Sequence, residues 1–377
     1  MPEYSQLSAA ERELFDRARE LGREVFQPLA EKGEPGRVNR PLVRALGDQG
    51  LLERVLPRDG EGSAVELCLL REALAQRCTE AETALALQGL GGYPILRAAR
   101  PELREEWIPR LALGEAVAAF ALSEPQGGSD AAALALRADR DGEGFRLTGT
   151  KTWISNAPEA DVYTVFARTT EGAGARGVTA FAVPRESEGL SGEALTLLSP
   201  HPIGRLEFDG VLAGSEQVLG DVDKGFSVAM ETLDLFRPSV GAFAVGMAQA
   251  ALEAAVSHAA RREAFGRPLS EFQAVAHQLA DVATQVQAAR LLVHHAAAAY
   301  DAGVRPVRQA SAMAKLFATE TAQHAVDVAI QVHGARALEQ GHLLEHLYRE
   351  VRAPRIYEGA SEVQREIIAR ELFKERA

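Results

Sequence analysis

Arg355-Ile356-Tyr357-Glu358-Gly359-Ala360-Ser361-Glu362-Val363-Gln364 is the stretch from which the rest of the chain is best read. Pro354 disfavours helix at the residue before it, and Ser361 followed three residues later by Gln364 has the form of a capping box opening a last helix. Glu358 is therefore expected in a short glycine-containing turn between two helices. A carboxylate in such a turn can face a pocket, where a base is useful, or can be an ordinary loop glutamate.

Working outward from that turn, long Ala-rich segments near 224–262, 271–301, 308–333 and 361–375 predict three or four long antiparallel helices joined by short connections, a bundle. Pro238 interrupts the first of them and predicts a kink. Between 118 and 221 the pattern changes to short β-favouring runs separated by turn signals: Leu134–Arg140, Phe145–Thr148, Val162–Ala167, Val178–Val183 and Arg205–Phe208. They predict a small antiparallel sheet or barrel. No strand alternates with a long helix and no G-x-G-x-x-G follows a strand, so a Rossmann nucleotide site is not expected. From Ser8 to about Glu115 the periodicity is helical, with Ser8 and Glu11 as the first cap. The expected fold is thus α+β and multidomain: a helical N-terminal domain over residues 1–117, a β domain over 118–222 and a C-terminal four-helix bundle over 223–377.

The 377 residues are enough for two or three domains with a large core. Net charge −12 argues against general nucleic-acid binding, because phosphate recognition requires a basic face. A small phosphorylated ligand stays compatible, since a few arginines or helix N-termini can hold one. The two cysteines, Cys68 and Cys78, are expected as buried thiols in a reducing cytoplasm. The N-terminus lacks a signal-peptide core, and no apolar run is expected to reach the length of a membrane span.

Several stretches carry chemistry. In Phe120-Ala121-Leu122-Ser123-Glu124-Pro125-Gln126-Gly127-Gly128-Ser129-Asp130 the adjacent glycines let backbone N–H groups approach a planar or anionic ligand, or simply make a tight turn. Trp153, in Lys151-Thr152-Trp153-Ile154-Ser155-Asn156, can stack on an aromatic ring or fill a junction. Arg262 and Phe265, spaced as on one helical face, can hold a phosphate and stack an adenine, whereas Gln273 also makes a capping box with Ser270. His342-Leu343-Leu344-Glu345-His346 matches the H-x-x-E-H zinc-peptidase pattern, but lies among Arg349, Glu350 and Arg352 and reads as a solvated helix face.

Taken together, Ser-Glu-Pro-x-x-Gly-Ser-Asp at 123–130, Lys-x-Trp-Ile-x-Asn at 151–156, Arg-x-x-Phe-Gly at 262–266, Gln-x-x-Gly at 331–334 and Ile-Tyr-Glu-Gly at 356–359 occur in the order found in the acyl-CoA dehydrogenase flavoproteins. The chain resembles that family over nearly its whole length. The resemblance implies an FAD enzyme of fatty acid metabolism that oxidises an acyl-CoA thioester to the trans-2-enoyl-CoA, with Glu358 as base for the α-proton and a hydride passing to flavin N5. It implies that Phe120, Leu122, Ser123, Gly128 and Ser129 line the isoalloxazine edge and that Trp153 and Ser155 pack on and bond to the ring. Ser129, Arg237 and Tyr357 fall on the substrate side. Arg262, Phe265, Gln273, Gln331 and Gly334 are similar to residues reaching the ADP half of the FAD in a neighbouring subunit, which implies a homo-oligomer, expected as a tetramer. The implied electron acceptor is an electron-transferring flavoprotein; a flavin oxidase or monooxygenase of the same fold, or a degenerate acyl-CoA-binding protein, are the alternatives. Phe236 stands where one subgroup carries its base, which favours Glu358. Three departures stand out: Ala335 and Ala337 replace glycines in the Gln331 motif, and Ala360 replaces a common hydroxyl residue.

Overall fold

The computed structural model describes residues 7–58, 62–304 and 307–374. By internal contacts the chain forms two compact units, one of Met1–Glu24, Ala64–Glu82 and Asp234–Ala377, the other of Val25–Ser63 and Thr83–Leu233.

The N-terminal third is helical as expected: α1 (Ala9–Leu21), α2 (Gln27–Ala30), α3 (Arg40–Asp48), α4 (Leu51–Val55), α5 (Ala64–Ala75), α6 (Thr79–Ala98) and α7 (Pro101–Ala112). The Ser8–Glu11 capping box is present in full, with Ser8 N–H donating to Glu11 Oε2 at 2.7 Å and Glu11 N–H to Ser8 Oγ at 3.3 Å. It satisfies two of the donors that a helix start leaves without partners.

In the second unit the strands are β1 (Ala118–Ala121), β2 (Arg137–Asp141), β3 (Gly144–Ser155), β4 (Val162–Arg168), β5 (Val178–Pro184), β6 (Leu190–Ala194), β7 (Ile203–Ala213) and β8 (Val218–Leu219). They form one sheet in the order β6-β7-β3-β2-β4-β5-β8, with β1 on β4. Most neighbours are antiparallel, as expected, but β1 pairs with β4 in parallel, Phe120 opposite Thr164, and β2 meets β4 in parallel at Arg137 and Arg168. β4 and β5 are almost continuously buried, Val-, Ala- and Phe-rich strands, the composition of strands covered on both faces. β6 was not expected from the sequence, because Leu190-Ser191-Gly192-Glu193-Ala194 is polar and exposed.

The bundle helices lie almost where the Ala-rich runs put them: α8 (Gly225–Arg261), α9 (Gln273–Asp301), α10 (Arg308–His333), the short α11 (Leu343–Glu350) and α12 (Ser361–Lys374). Between α8 and α9 runs a small hairpin of β9 (Glu263–Ala264) and β10 (Arg267–Pro268). In the first unit α5 packs on α1 and α9, and α10 packs on α9, α11 and α12. α8 also approaches α5 closely, where a Cβ on Gly246 would come within 2.5 Å of the Glu72 carbonyl.

Four expectations need correction. α8 contains an 18-residue window of mean hydropathy 1.4, long and apolar enough to cross a membrane, but 72% of that window is buried inside the fold. Arg262 and Phe265 do not share a helical face, because α8 ends at Arg261 and the hairpin follows. Ser270 and Gln273 form no capping box: the residue before α9 is Phe272, with no side-chain cap. Nor does Ser361 cap α12 through Gln364. It is the first residue of the helix, and its hydroxyl donates to Glu320 Oε1 at 2.7 Å, since an ionised acceptor on α10 outcompetes a local backbone partner.

Candidate active site

The turn between α11 and α12 holds Glu358 in a left-handed conformation, φ 51°, followed by Gly359 at φ 93°. A non-glycine residue there costs about 1–3 kcal/mol and persists only where its surroundings over-determine it. The surroundings come mainly from α10 and α12. Lys315 Nζ on α10 donates to the carbonyls of Tyr357 at 3.0 Å and Gly359 at 2.6 Å. Gln364 Nε2 on α12 donates to the carbonyls of Gly359 at 2.8 Å and Glu358 at 3.3 Å. Glu320, also on α10, binds the start of the turn through Arg355 and its end through Ser361.

As a residue Glu358 is half-buried, but its Oε2 is shielded from solvent and has no hydrogen-bond partner among the described residues. Burial pushes its carboxyl above the ordinary carboxylate value, against the pull of Arg71, Lys315 and Arg237. Those three cations are engaged differently. Arg71 on α5 is ion-paired with Glu82 and donates from Nη1 to Ser239 Oγ at 2.7 Å. Arg237 on α8 reaches Asp234 at 3.3 Å, while its Nε is buried without a partner among the described residues. Both hydrogen bonds of Lys315 go to carbonyls; burial pulls its ammonium down to about 8. Burial also pushes the Tyr357 hydroxyl up. The structure thus brings Glu358, Tyr357 and Arg237 together. It adds Lys315 and Arg71, which sequence reading missed. Lys315 had a signal: it lies on the same helical face as Ser311, Ala312, Ala318 and Ala322, all buried, where a lysine needs a reason.

In the other unit the strand end of β1 and the bulged part of β3 lie side by side. Lys151 pairs with Leu206 and Ile154 with Gly204, so two residues, Thr152 and Trp153, face one on β7. That bulge leaves Lys151 and Thr152 buried while Trp153, at φ 55°, turns outward to 49% exposure. Thr152 N–H donates to the Ser123 carbonyl at 3.0 Å, and Lys151 Nζ to the Leu122 carbonyl at 2.9 Å. Lys151 also pairs with Glu124 at 2.8 Å, both fully buried, and burial pulls its ammonium down to about 8. Glu124 accepts from the N–H groups of Ala135 at 2.6 Å and Leu136 at 2.9 Å. The pair therefore pins both ends of the loop carrying Gly128 and Ser129, which are exposed. Phe120 is set by the β1–β4 pairing, its ring 4.8 Å from that of Phe166, and Ser155 is half-buried at the end of β3. An outward indole, an open glycine loop on which a Gly128 Cβ would meet nothing within 4 Å, and a rigid ion pair beneath them fit a flat aromatic group.

The remaining expected residues form a third cluster, in the first unit. Arg262, Phe265, Gln273, Gln331 and Gly334 are all exposed, Phe265 to 97%. The stacked rings of His258 and His333, 4.2 Å apart, tie the C-terminal ends of α8 and α10 that carry them. Ala335 and Ala337 are accommodated without strain: Gly334 takes the positive φ of 68°, and neither alanine has one. The zinc-peptidase pattern is otherwise employed, with His342 accepting from Leu344 N–H as the cap of α11 and His346 bonding Thr79 at 2.6 Å. Among the described residues no group of three or more His, Cys, Asp or Glu could hold a metal.

Three family models match along the chain: acyl-CoA dehydrogenase N-terminal domain over residues 8–115, middle domain over 119–211 and C-terminal domain over 223–373. Cyclohexane-1-carbonyl-CoA dehydrogenase of Geobacter metallireducens is 36% identical over 95% of this chain and 96% of its own length. The structure of butyryl-CoA dehydrogenase from Megasphaera elsdenii superposes with a TM-score of 0.91 at 30% identity, covering 97% of this chain and 99% of that one. The FAD complex of PigA superposes equally well, TM-score 0.91, at 25% identity over 97% of this chain and 98% of that one.

Proposed function

The chain belongs to the acyl-CoA dehydrogenase family, and from that premise we propose that Glu358 is the base that removes the α-proton of its acyl-CoA thioester. The protein is an FAD-dependent oxidoreductase acting on a CH–CH bond. The observation that carries the role of Glu358 is its buried, partnerless Oε2. A carboxylate oxygen in that condition is free to accept a proton, and its desolvation makes it a stronger base than one in water. The left-handed backbone held by Lys315 and Gln364 fixes where that oxygen points, so little ordering remains to be done when substrate binds.

FAD, when bound, supplies the hydride acceptor for the β-carbon. We assign its flavin ring to Phe120, Leu122, Ser123, Gly128, Ser129, Trp153 and Ser155, held by the Lys151–Glu124 pair. Its ADP half belongs to Arg262, Phe265, Gln273, Gln331 and Gly334 of a neighbouring subunit. The near-complete exposure of Phe265 supports this, because an apolar ring on a rigid hairpin calls for a partner surface. A homotetramer in the cytoplasm, reduced by acyl-CoA and reoxidised by an electron-transferring flavoprotein, completes the reading. Ser129, Arg237 and Tyr357 are the residues assigned to the substrate side.

The test is anaerobic titration of the purified holoenzyme with butyryl-CoA, cyclohexane-1-carbonyl-CoA and longer acyl-CoAs, following the oxidised flavin band. Bleaching by at least one thioester is expected; an unchanged band with all of them would contradict dehydrogenation.

A further inference from the structure

We propose that Lys315 is a positioning residue for Glu358: its ammonium group grips the carbonyls of the residues before and after the base and sets a positive charge beside the carboxylate. The inference deepens the assignment of Glu358 and rests on it.

The geometry is specific. Lys315 Nζ binds the Tyr357 carbonyl at 3.0 Å and the Gly359 carbonyl at 2.6 Å, the residues immediately before and after Glu358. Its bond to the Tyr357 carbonyl fixes the peptide leading into Glu358, and its bond to the Gly359 carbonyl fixes the peptide that closes the turn, while the 358–359 peptide between them is held by Gln364. The Lys315 side chain is wholly removed from solvent, and a buried ammonium group is tolerated only when paired or hydrogen-bonded. Its charge has little else to answer. The charged and titratable groups facing it are Glu358, Arg237, Glu320 and Glu362. Of the carboxylates, Glu320 already binds Arg355 and Ser361, and Glu362 stands 3.8 Å from Arg365. From the side of Glu358, the facing groups are Arg71 on α5, Arg237 on α8, Lys315 on α10 and Tyr357 in its own turn. Arg71 is ion-paired with Glu82 and bonded to Ser239, and Arg237 shares Asp234 with Arg308. Lys315 is therefore the cation beside the base that bonds to the backbone of the base's own turn, and its charge adds to that of Arg71 in favouring the ionised carboxylate. Gln364, which binds the Glu358 and Gly359 carbonyls without charge, separates the mechanical part of this role from the electrostatic part.

The experiment compares wild type, Lys315→Met, Lys315→Gln and Gln364→Leu as holoenzymes. The rate of anaerobic flavin reduction is measured against pH, using whichever of butyryl-CoA and cyclohexane-1-carbonyl-CoA reduces the wild type faster. Loss of Lys315 is expected to slow reduction and to move the acidic limb of the profile upward by about 1–3 units, the size that one nearby opposite charge gives a carboxyl group. Gln364→Leu is expected to slow reduction with the limb in place. A Lys315→Met limb coincident with wild type would overturn the proposal, as would flavin-free protein from both neutral Lys315 variants, which would assign the residue to the fold alone. Failure of wild type itself to be reduced would instead strike at the assignment of the reaction.

Discussion

At Glu358 the protein maintains a carboxylate whose ionised form is disfavoured by burial more than it is favoured by Arg71, Lys315 and Arg237. A carboxyl group raised above its ordinary value of 4.5 holds its proton more tightly in the folded than in the unfolded chain. Its stabilising contribution is present below that ordinary value and is lost as pH rises through the raised one. Glu358→Gln removes this loss at nearly constant volume. The variant is therefore expected to melt no lower than wild type at pH 7–8 while losing turnover, a trade of stability for activity. A melting temperature several degrees below wild type, in matched calorimetric scans, would contradict that sign. The same raised value places the acidic limb of wild-type kcat/KM above the ordinary carboxylate range, since the base is blocked by its own proton below it.

At the scale of elements, two short segments carry the precision. The 357–360 turn depends on glycine: at φ 93° an alanine is strained, and its Cβ would fall 2.4 Å from Gln364 Nε2. Gly359→Ala is expected to fold, to retain flavin and to lower the reduction rate by about 100-fold, the effect of displacing a reacting group by ~1 Å; stopped-flow reduction checks it. The loop at 123–130 depends on the buried Lys151–Glu124 pair. Glu124→Ala leaves that ammonium without its partner and frees two backbone N–H groups, so a loss of about 3–5 kcal/mol is expected in urea unfolding. Flavin content should fall with it. The bundle was legible in the sequence because long Ala-rich runs end at strong breakers, Gly266 and Pro268, Gly303, and Gly334. The turn at Glu358 was legible too, but its capping was not, because Ser361 answers Glu320 on another helix. The bulge at Thr152–Trp153 and the buried Lys315 were also beyond local pattern. Both depend on what packs against them from distant parts of the chain, as does the polar strand β6.

At the scale of the whole molecule, the exposed residues of the third cluster are unexplained by the single chain. Phe265 is 97% exposed on a hairpin with left-handed φ at 51°, ordered by Phe272 at 6.3 Å between ring centroids. It contributes almost nothing to the stability of one subunit, so Phe265→Ser is expected to leave the unfolding free energy of the subunit within about 0.5 kcal/mol. The same substitution should lower flavin occupancy and shift the species seen by light scattering below the proposed tetramer. Unchanged flavin content and mass would remove Phe265 from the proposed cofactor seat. The motifs name members of each of these three clusters; of the cations around the base, Arg237 was named from the sequence, whereas Arg71 and Lys315 emerged only from the packed helices.

The most direct test of the account is single-turnover reduction of Glu358→Gln holoenzyme, loaded with FAD and mixed anaerobically with an acyl-CoA that bleaches the wild type. The account predicts full flavin occupancy with a reduction rate at least about 100-fold below wild type, the lower bound of what a positioned base contributes. Reduction at the wild-type rate by a variant that retains its flavin would show that Glu358 is not the base.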